Sequence, residues 1–331
     1  MGWAMTLTLA LDAYVTEVLF DAGLAAFALG DGQVAWEDGV RGEAHDGAIL
    51  CAVAHPSGDG LITGGDDGRL VWSRRDGGAV THQVLAELKN RWIDAVAASP
   101  DSGLVAFAAG REAHVRDVTD AKFERVFAHE KSVAGLAFDP KGRRLAAATY
   151  GGVALWYARI ADQKPVMLKW AGSHVAVAFS PDGKFLLSAM QENALHGWRL
   201  SDAKDMRMGG YPAKIKSIGF LENGLWLATS GANGVVLWPF QGANGPMGKQ
   251  ANEIGFDESA LVARLAAETT RSVLAAGLDD GRVWVCDLKS QRLETLKADK
   301  GPPITALALT GGRVAWGDED GGAGVAEVPA L

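Results

Sequence analysis

Seven histidines, His45, His55, His82, His114, His129, His174 and His196, are the side chains of this 331-residue chain best suited to acid–base or metal chemistry. None lies three to five residues from another, and none accompanies a pair of cysteines, Cys51 and Cys286 being far apart in the chain. Local zinc motifs need such spacing, so no metal and no cofactor is expected. The stretch from Gly242 to Gln250 resembles a phosphate-binding loop only in outline. It has five residues between Gly242 and Gly248 where four are needed, and Gln250 where Ser or Thr would hold magnesium. It reads as a Gly/Asn-rich connection. No Gly-x-Ser-x-Gly elbow occurs. Asp318, Glu319 and Asp320 lack the alternation and the final Glu of a calcium loop, and read as an acidic hairpin turn. No residue is assigned a catalytic role.

Two of the histidines mark a repeat instead. His45 and His129 each precede a proline by eleven residues, Pro56 and Pro140, within stretches of the same design. With that slot as origin, eight units start at Leu11, His45, Lys89, His129, Trp170, Tyr211, Glu258 and Lys300, spaced by 34 to 47 residues. Seven residues in stand Val18, Ala52, Val96, Leu136, Val177, Ile218, Leu265 and Leu307. Eight residues in stand Leu19, Val53, Ala97, Ala137, Ala178, Gly219, Ala266 and Ala308. Side chains of a strand alternate between its faces, so this first strand of each unit turns bulky residues one way and small ones the other. Apolar on both sides, it is expected to be buried on both, between neighbouring sheets. A line of such sheets would leave two apolar ends, and a ring leaves none. Asp67-Gly68, Asn233-Gly234 and Asp280-Gly281 supply hairpin turns. Pro100-Asp101, Pro140-Lys141-Gly142 and Pro181-Asp182-Gly183 supply turns with a fixed first corner.

Composition agrees with a packed domain and narrows the partners. Hydrophobic residues make up 48% and glycines number 42, enough for a large core with many turns. The net charge of −8 disfavours a phosphate backbone, so no nucleic acid is expected. No run of 18 apolar residues occurs, so no membrane span is expected either. The first fourteen residues make a poor signal peptide, and Met1 to Thr6 fits only the loose myristoylation pattern. Two cysteines fit a reducing compartment, so a cytoplasmic monomer is expected.

On Ser180-Pro181-Asp182-Gly183-Lys184, Gly64-Gly65-Asp66-Asp67-Gly68 and the strand-ending tryptophans Trp72, Trp156, Trp198 and Trp238, the chain resembles the WD-repeat propeller family over nearly its whole length. It departs from that pattern in having no Trp-Asp dipeptide; Arg116-Asp117 and Cys286-Asp287 stand in two such places. Ala44-His45 and Ala128-His129 replace Gly-His. The resemblance implies a buried hydrogen-bonded set of His45, Thr63, Asp67 and Trp72 in the second unit, and structural roles for His129 and Trp156 in the fourth. Gly68 to Trp72 is one residue shorter than Gly151 to Trp156, a slip that reverses a side chain's face.

The fold expected is all-β, one propeller domain over residues 1–331, with eight four-stranded blades and seven as the alternative. The last unit offers three strands only, so residues 4–12, with alternating Thr and Leu, are expected to close its blade as a fourth.

The function expected is a non-enzymatic scaffold that binds a protein through one face. The loops leading into the first strands, with the turns between second and third strands, place Arg91, Trp92, Lys131, Tyr150, Trp170, Gln191, Tyr211 and Lys214 on that face. Trp, Tyr and Arg are favoured interface anchors, and the basic members on an acidic protein would steer an acidic partner there. The alternative is an enzyme or a small-ligand or metal-binding propeller using the central channel. Its candidates are Glu17 and Arg264, six residues into their units where the others carry small side chains. The long stretch from Gln241 to Ser259 reads as mobile.

Overall fold

The computed structural model describes residues 6–328. The chain is an all-β propeller in which each sheet is built from neighbours along the chain. In the second unit, for instance, Ile49–Ala54, Leu61–Gly65, Arg69–Asp76 and Ala79–Glu87 pair in sequence order, all antiparallel. Short Gly turns suffice for such up-and-down pairing; Gly68 adopts φ +79°, and a Cβ there would run into the Leu88 carbonyl.

Among the described residues seven hydrogen-bonded sheets form rather than the eight separate four-stranded sheets expected. Six have four strands. The fourth and fifth units instead share one sheet of six strands. Two long strands cause the fusion. Arg144–Tyr157 runs through the Thr149–Gly152 corner, and Val166–Phe179 runs from the outer edge of the fourth unit into the first strand of the fifth without a loop. Tyr150 pairs with Ser173 across this junction, and glycines at Gly152 (φ +145°) and Gly172 (φ +127°) permit the bends.

The segment expected to close the ring falls partly outside the described residues. Thr6–Ala10 pairs antiparallel with Gly322–Glu327, from Thr6 opposite Ala326 to Ala10 opposite Gly322. The Leu11 N–H donates to the Gly321 carbonyl at 2.8 Å. This strand is the fourth of the last unit's sheet.

The reading that the first strand of each unit is buried on both faces needs correction. That position belongs to the second strand. Leu104–Ala109, Phe185–Met190 and Val273–Leu278 are buried at every residue, whereas Val15–Asp21 and Ile49–Ala54 are mostly half-buried. The first strands line the channel, where water reaches their small side chains. Five of them also carry a bulge at their start, which skips Thr16, Leu50, Val175, Ala263 and Thr305 in the pairing. The extra residue resets the alternation, so Val15 and Val18, three apart, are both buried. Clusters of buried apolar side chains lie between consecutive units. One of them joins Val15, Val18 and Phe27 of the first unit to Ala306, Ala315 and Val325 of the last.

Candidate functional site

The two faces of the ring differ, and the face carrying the loops into the first strands holds most of the candidates. Backbone hydrogen bonds fix that face. The Ile93 N–H donates to Gly65 O at 3.0 Å, Val133 N–H to Gly110 O at 2.8 Å, and Ala213 N–H to Gly231 O at 3.1 Å. Each bond ties a leading loop to a turn between second and third strands.

On this rim Trp92 is 64% exposed and Tyr150 65% exposed. Nothing in the fold is served by leaving two such side chains in water. Lys131, Gln191 and Lys214 are also exposed, and the two lysines have no ion pair among the described residues. Arg91 pairs with Glu112, which shares its carboxylate with His114 at 3.4 Å. A depression of about 600 Å³ lies beside Trp92, lined by Arg91, Asp94, Arg111 and Glu112.

Tyr211 must be withdrawn from the exposed set. It is 8% exposed, and its hydroxyl bonds Thr229 Oγ1 and accepts the Trp238 indole N–H, both at 2.7 Å. Burial pushes its pKa up to about 12. Trp170 is half-buried and stacks on His196 with ring centroids 3.9 Å apart. Both fill the top of their units, as their large apolar area favours. Tyr14, 45% exposed on the first unit's leading loop, belongs to the rim and was missed. The degenerate first unit hid it.

The residues assigned structural roles are placed as follows. His45 Nδ1 meets Asp67 Oδ1 at 3.0 Å and His45 Nε2 meets Thr63 Oγ1 at 2.8 Å. Trp156 donates to His129 Nε2 at 3.0 Å. His174 bonds Ser188 Oγ at 2.7 Å and the Trp170 carbonyl at 3.1 Å. Asp318 accepts the Asp320 and Gly322 N–H groups in a hairpin turn. The stretch from Gln241 to Ser259 is turn-rich, with Gly245 against Phe185 and a short outer strand, Asn252–Ile254.

At the mouth of the channel, neighbouring units are stitched at the bulges. Thr16 Oγ1 donates to Ile49 O at 3.0 Å, Thr305 Oγ1 to Val15 O at 2.6 Å, and Arg264 Nε to Thr305 O at 2.5 Å. Glu17 has only a 3.4 Å bond from the Val18 N–H. Burial raises its pKa to about 7, against the opposing pull of Arg264. Burial also raises Asp94 and Cys51, and lowers Lys216. Asp94 and Lys216, just ahead of the first strands of their units, join Glu17 and Arg264 around the mouth. They could have been found by reading the fifth slot of every unit. Among the described residues, no three His, Cys, Asp or Glu side chains are grouped to hold a metal ion, and no helix is long and apolar enough to cross a membrane.

Comparison with known proteins agrees with this geometry. The WD domain, G-beta repeat model matches residues 40–72 and 121–156. WD repeat-containing protein 55 of Rattus norvegicus is 25% identical over 201 residues, covering 58% of this chain and 51% of that protein. Pre-mRNA-processing factor 19 homolog 2 of Arabidopsis thaliana is 25% identical over 228 residues, covering 64% of this chain and 42% of that protein. The matches thus span about half the length of these relatives. Among solved structures, the computationally designed Ika8 protein aligns with a TM-score of 0.77 at 17% identity, over 96% of this chain and 98% of that one. The β-propeller domain of Cps50 (Swd1) from Myceliophteria thermophila aligns with a TM-score of 0.67 at 16% identity, over 85% and 97%. The repeated sheets, the matched repeats and these likenesses agree, and together they support a WD-repeat β-propeller family.

Proposed function

We propose that this protein is a non-enzymatic scaffold that binds another protein through the rim carrying Trp92 and Tyr150. The observation that carries the reading is their exposure, 64% and 65%, on one face of a framework otherwise rich in small buried side chains. Large aromatics surrounded by polar groups are the usual anchors of protein interfaces. Lys131 and Lys214 favour an acidic partner. WD-repeat propellers generally act through protein partners, which supports the reading without naming one.

The test is recovery of partners from native extract by the wild-type protein and by a Trp92→Ala/Tyr150→Ala variant, with mass spectrometry. A protein held by the wild type and lost by the equally stable variant is the expected result. Identical recoveries would reject this face.

Two structural readings accompany it. The ring is read as eight wedges in one domain. Eight apolar clusters support this, each shared by two consecutive units, and two of them flank the six-stranded sheet's own internal junction on either side. Cytoplasmic placement and a monomeric state are proposed on the two free thiols, Cys51 and Cys286, and are checked by fractionation and light scattering.

A further inference from the structure

The one-residue slip before Trp72 has a chemical outcome. Trp156 packs with Ala154 against the preceding unit, but Trp72 packs with Leu70 against the following one. Ser73 takes the place toward the first unit and bonds His82 Nδ1 at 2.9 Å. Turned to the other side, the Trp72 indole stacks on His55, with centroids 4.1 Å apart and planes 10° from parallel. Its N–H donates to Asp59 O at 2.7 Å.

Between the second and third units this leaves a pocket of about 200 Å³. Trp72, Leu85, Val105, Val118 and Phe123 form apolar walls, and His55 and Arg116 also line it. A cavity of about 150 Å³ holds benzene, so this one has room for a single ring with a short substituent.

Gln83 and Asp117 complete the polar lining, in which two donors lack partners. His55 is 4% exposed, and its Nε2 has no partner among the described residues. The Ser57 N–H donates to His55 Nδ1 at 3.2 Å, so Nδ1 carries the lone pair and Nε2 the proton. Burial lowers the His55 pKa, which keeps the ring neutral with that one N–H near pH 7. Arg116 Nε is a second buried donor without a partner, although its Nη2 pairs with Glu124 at 2.8 Å. The nearby Asp117 cannot serve them. Its carboxylate is taken by the Thr119 N–H and hydroxyl and by Arg159. Buried donors left unpaired are costly and mark where an acceptor belongs.

We propose that this pocket binds a small planar aromatic carboxylate, its ring among Trp72, Phe123 and Val105 and its oxygens accepting from His55 Nε2 and Arg116 Nε. A carboxylate supplies acceptors only, which is what two unpaired donors require. The site is independent of the rim carrying Trp92.

The test titrates benzoate into the protein while the His55 ring nitrogens are followed by NMR. Benzylammonium, with the same ring and the opposite charge, is the control. Benzoate should shift His55 Nε2 saturably, with a Kd on the order of 1 mM for so small a ligand. Benzylammonium should produce no saturable shift. His55→Phe keeps a ring against Trp72 and should weaken benzoate at least about tenfold. Arg116→Met keeps the aliphatic stem and should do the same, and it decides the matter if His55→Phe misfolds. No saturable benzoate shift, equal binding of benzylammonium, or wild-type affinity in a folded variant overturns the proposal.

Discussion

Trp156 gives its indole proton to His129, whereas Trp72, one residue out of step, never reaches His45. The fourth unit therefore keeps a buried bond between its third strand and its leading loop. His129 Nδ1 has no partner among the described residues, so the indole supplies the ring's only side-chain bond. Trp156→Phe should cost about 1–3 kcal/mol, since it strands a buried ring nitrogen and removes packing against Phe127. Urea unfolding measures this. A loss below about 0.5 kcal/mol would show that the bond contributes little.

The channel carboxylate gives stability a pH dependence of unusual sign. Burial raises the Glu17 pKa from 4.5 to about 7, so between those values the folded state binds the proton that the unfolded state has released. Its contribution is fully present below about 4.5 and is lost as pH rises through about 7. The gap corresponds to at most about 3 kcal/mol, an upper figure because Glu17 is only half-buried and channel water screens it. Glu17→Gln should therefore match the wild type near pH 5 and exceed it in melting temperature at pH 8. Equal melting temperatures at both pH values would contradict this.

Acid should act oppositely through the histidines. Burial lowers His55, His82, His114, His129, His174 and His196, the last to about 4 despite Asp205 nearby. The unfolded chain binds these protons first, so stability falls as pH drops from about 6.5 toward 4. For His196 alone, wedged between Trp170 and Trp198, the loss is about 2–3 kcal/mol. His196→Phe should flatten the decline between pH 6.5 and 4.5 by about that amount. An unchanged slope would assign the acid sensitivity elsewhere.

Removing the closing strand should be costly. Deleting residues 1–11 strips the pairing to Gly322–Glu327 and uncovers the apolar cluster that Leu9 and Leu11 pack against. Several backbone bonds and two leucines together suggest roughly 3 kcal/mol or more. Calorimetry should show the melting temperature reduced by roughly 5 °C or more. An unaltered value would mean that side-chain packing alone holds the ring.

Much of this was legible in the chain because each unit repeats the same physics. The beat of small and bulky slots, the Gly turns and the alternating Thr and Leu of the first strand are local signals that sterics and burial turn directly into sheets. What escaped reading depends on neighbours. Whether Val166–Phe179 breaks into two strands depends on the fit of Gly172 against Met190 of the next strand, a contact that the local sequence does not announce. Whether an aromatic of a leading loop is exposed is set by a partner 18 or more residues away. Tyr211 finds Thr229 and is buried, while Trp92 finds nothing and stays in water. The channel mouth was read at the sixth slot, but half of its charge, Asp94 and Lys216, stands at the fifth, just before the first strand begins.

The pairing of Thr6–Ala10 with Gly322–Glu327 joins segments that lie far apart along the chain. A ribosome releases the first strand long before its partner exists, so its unmatched edge must wait until that partner has been made. Loop-closure entropy then makes this pairing the last and slowest to form. Once made, it turns a string of wedges into one closed object, and because Thr6 and Ala326 lie at the same end of the ladder, pulling the two strands outward from there would open it one hydrogen bond at a time.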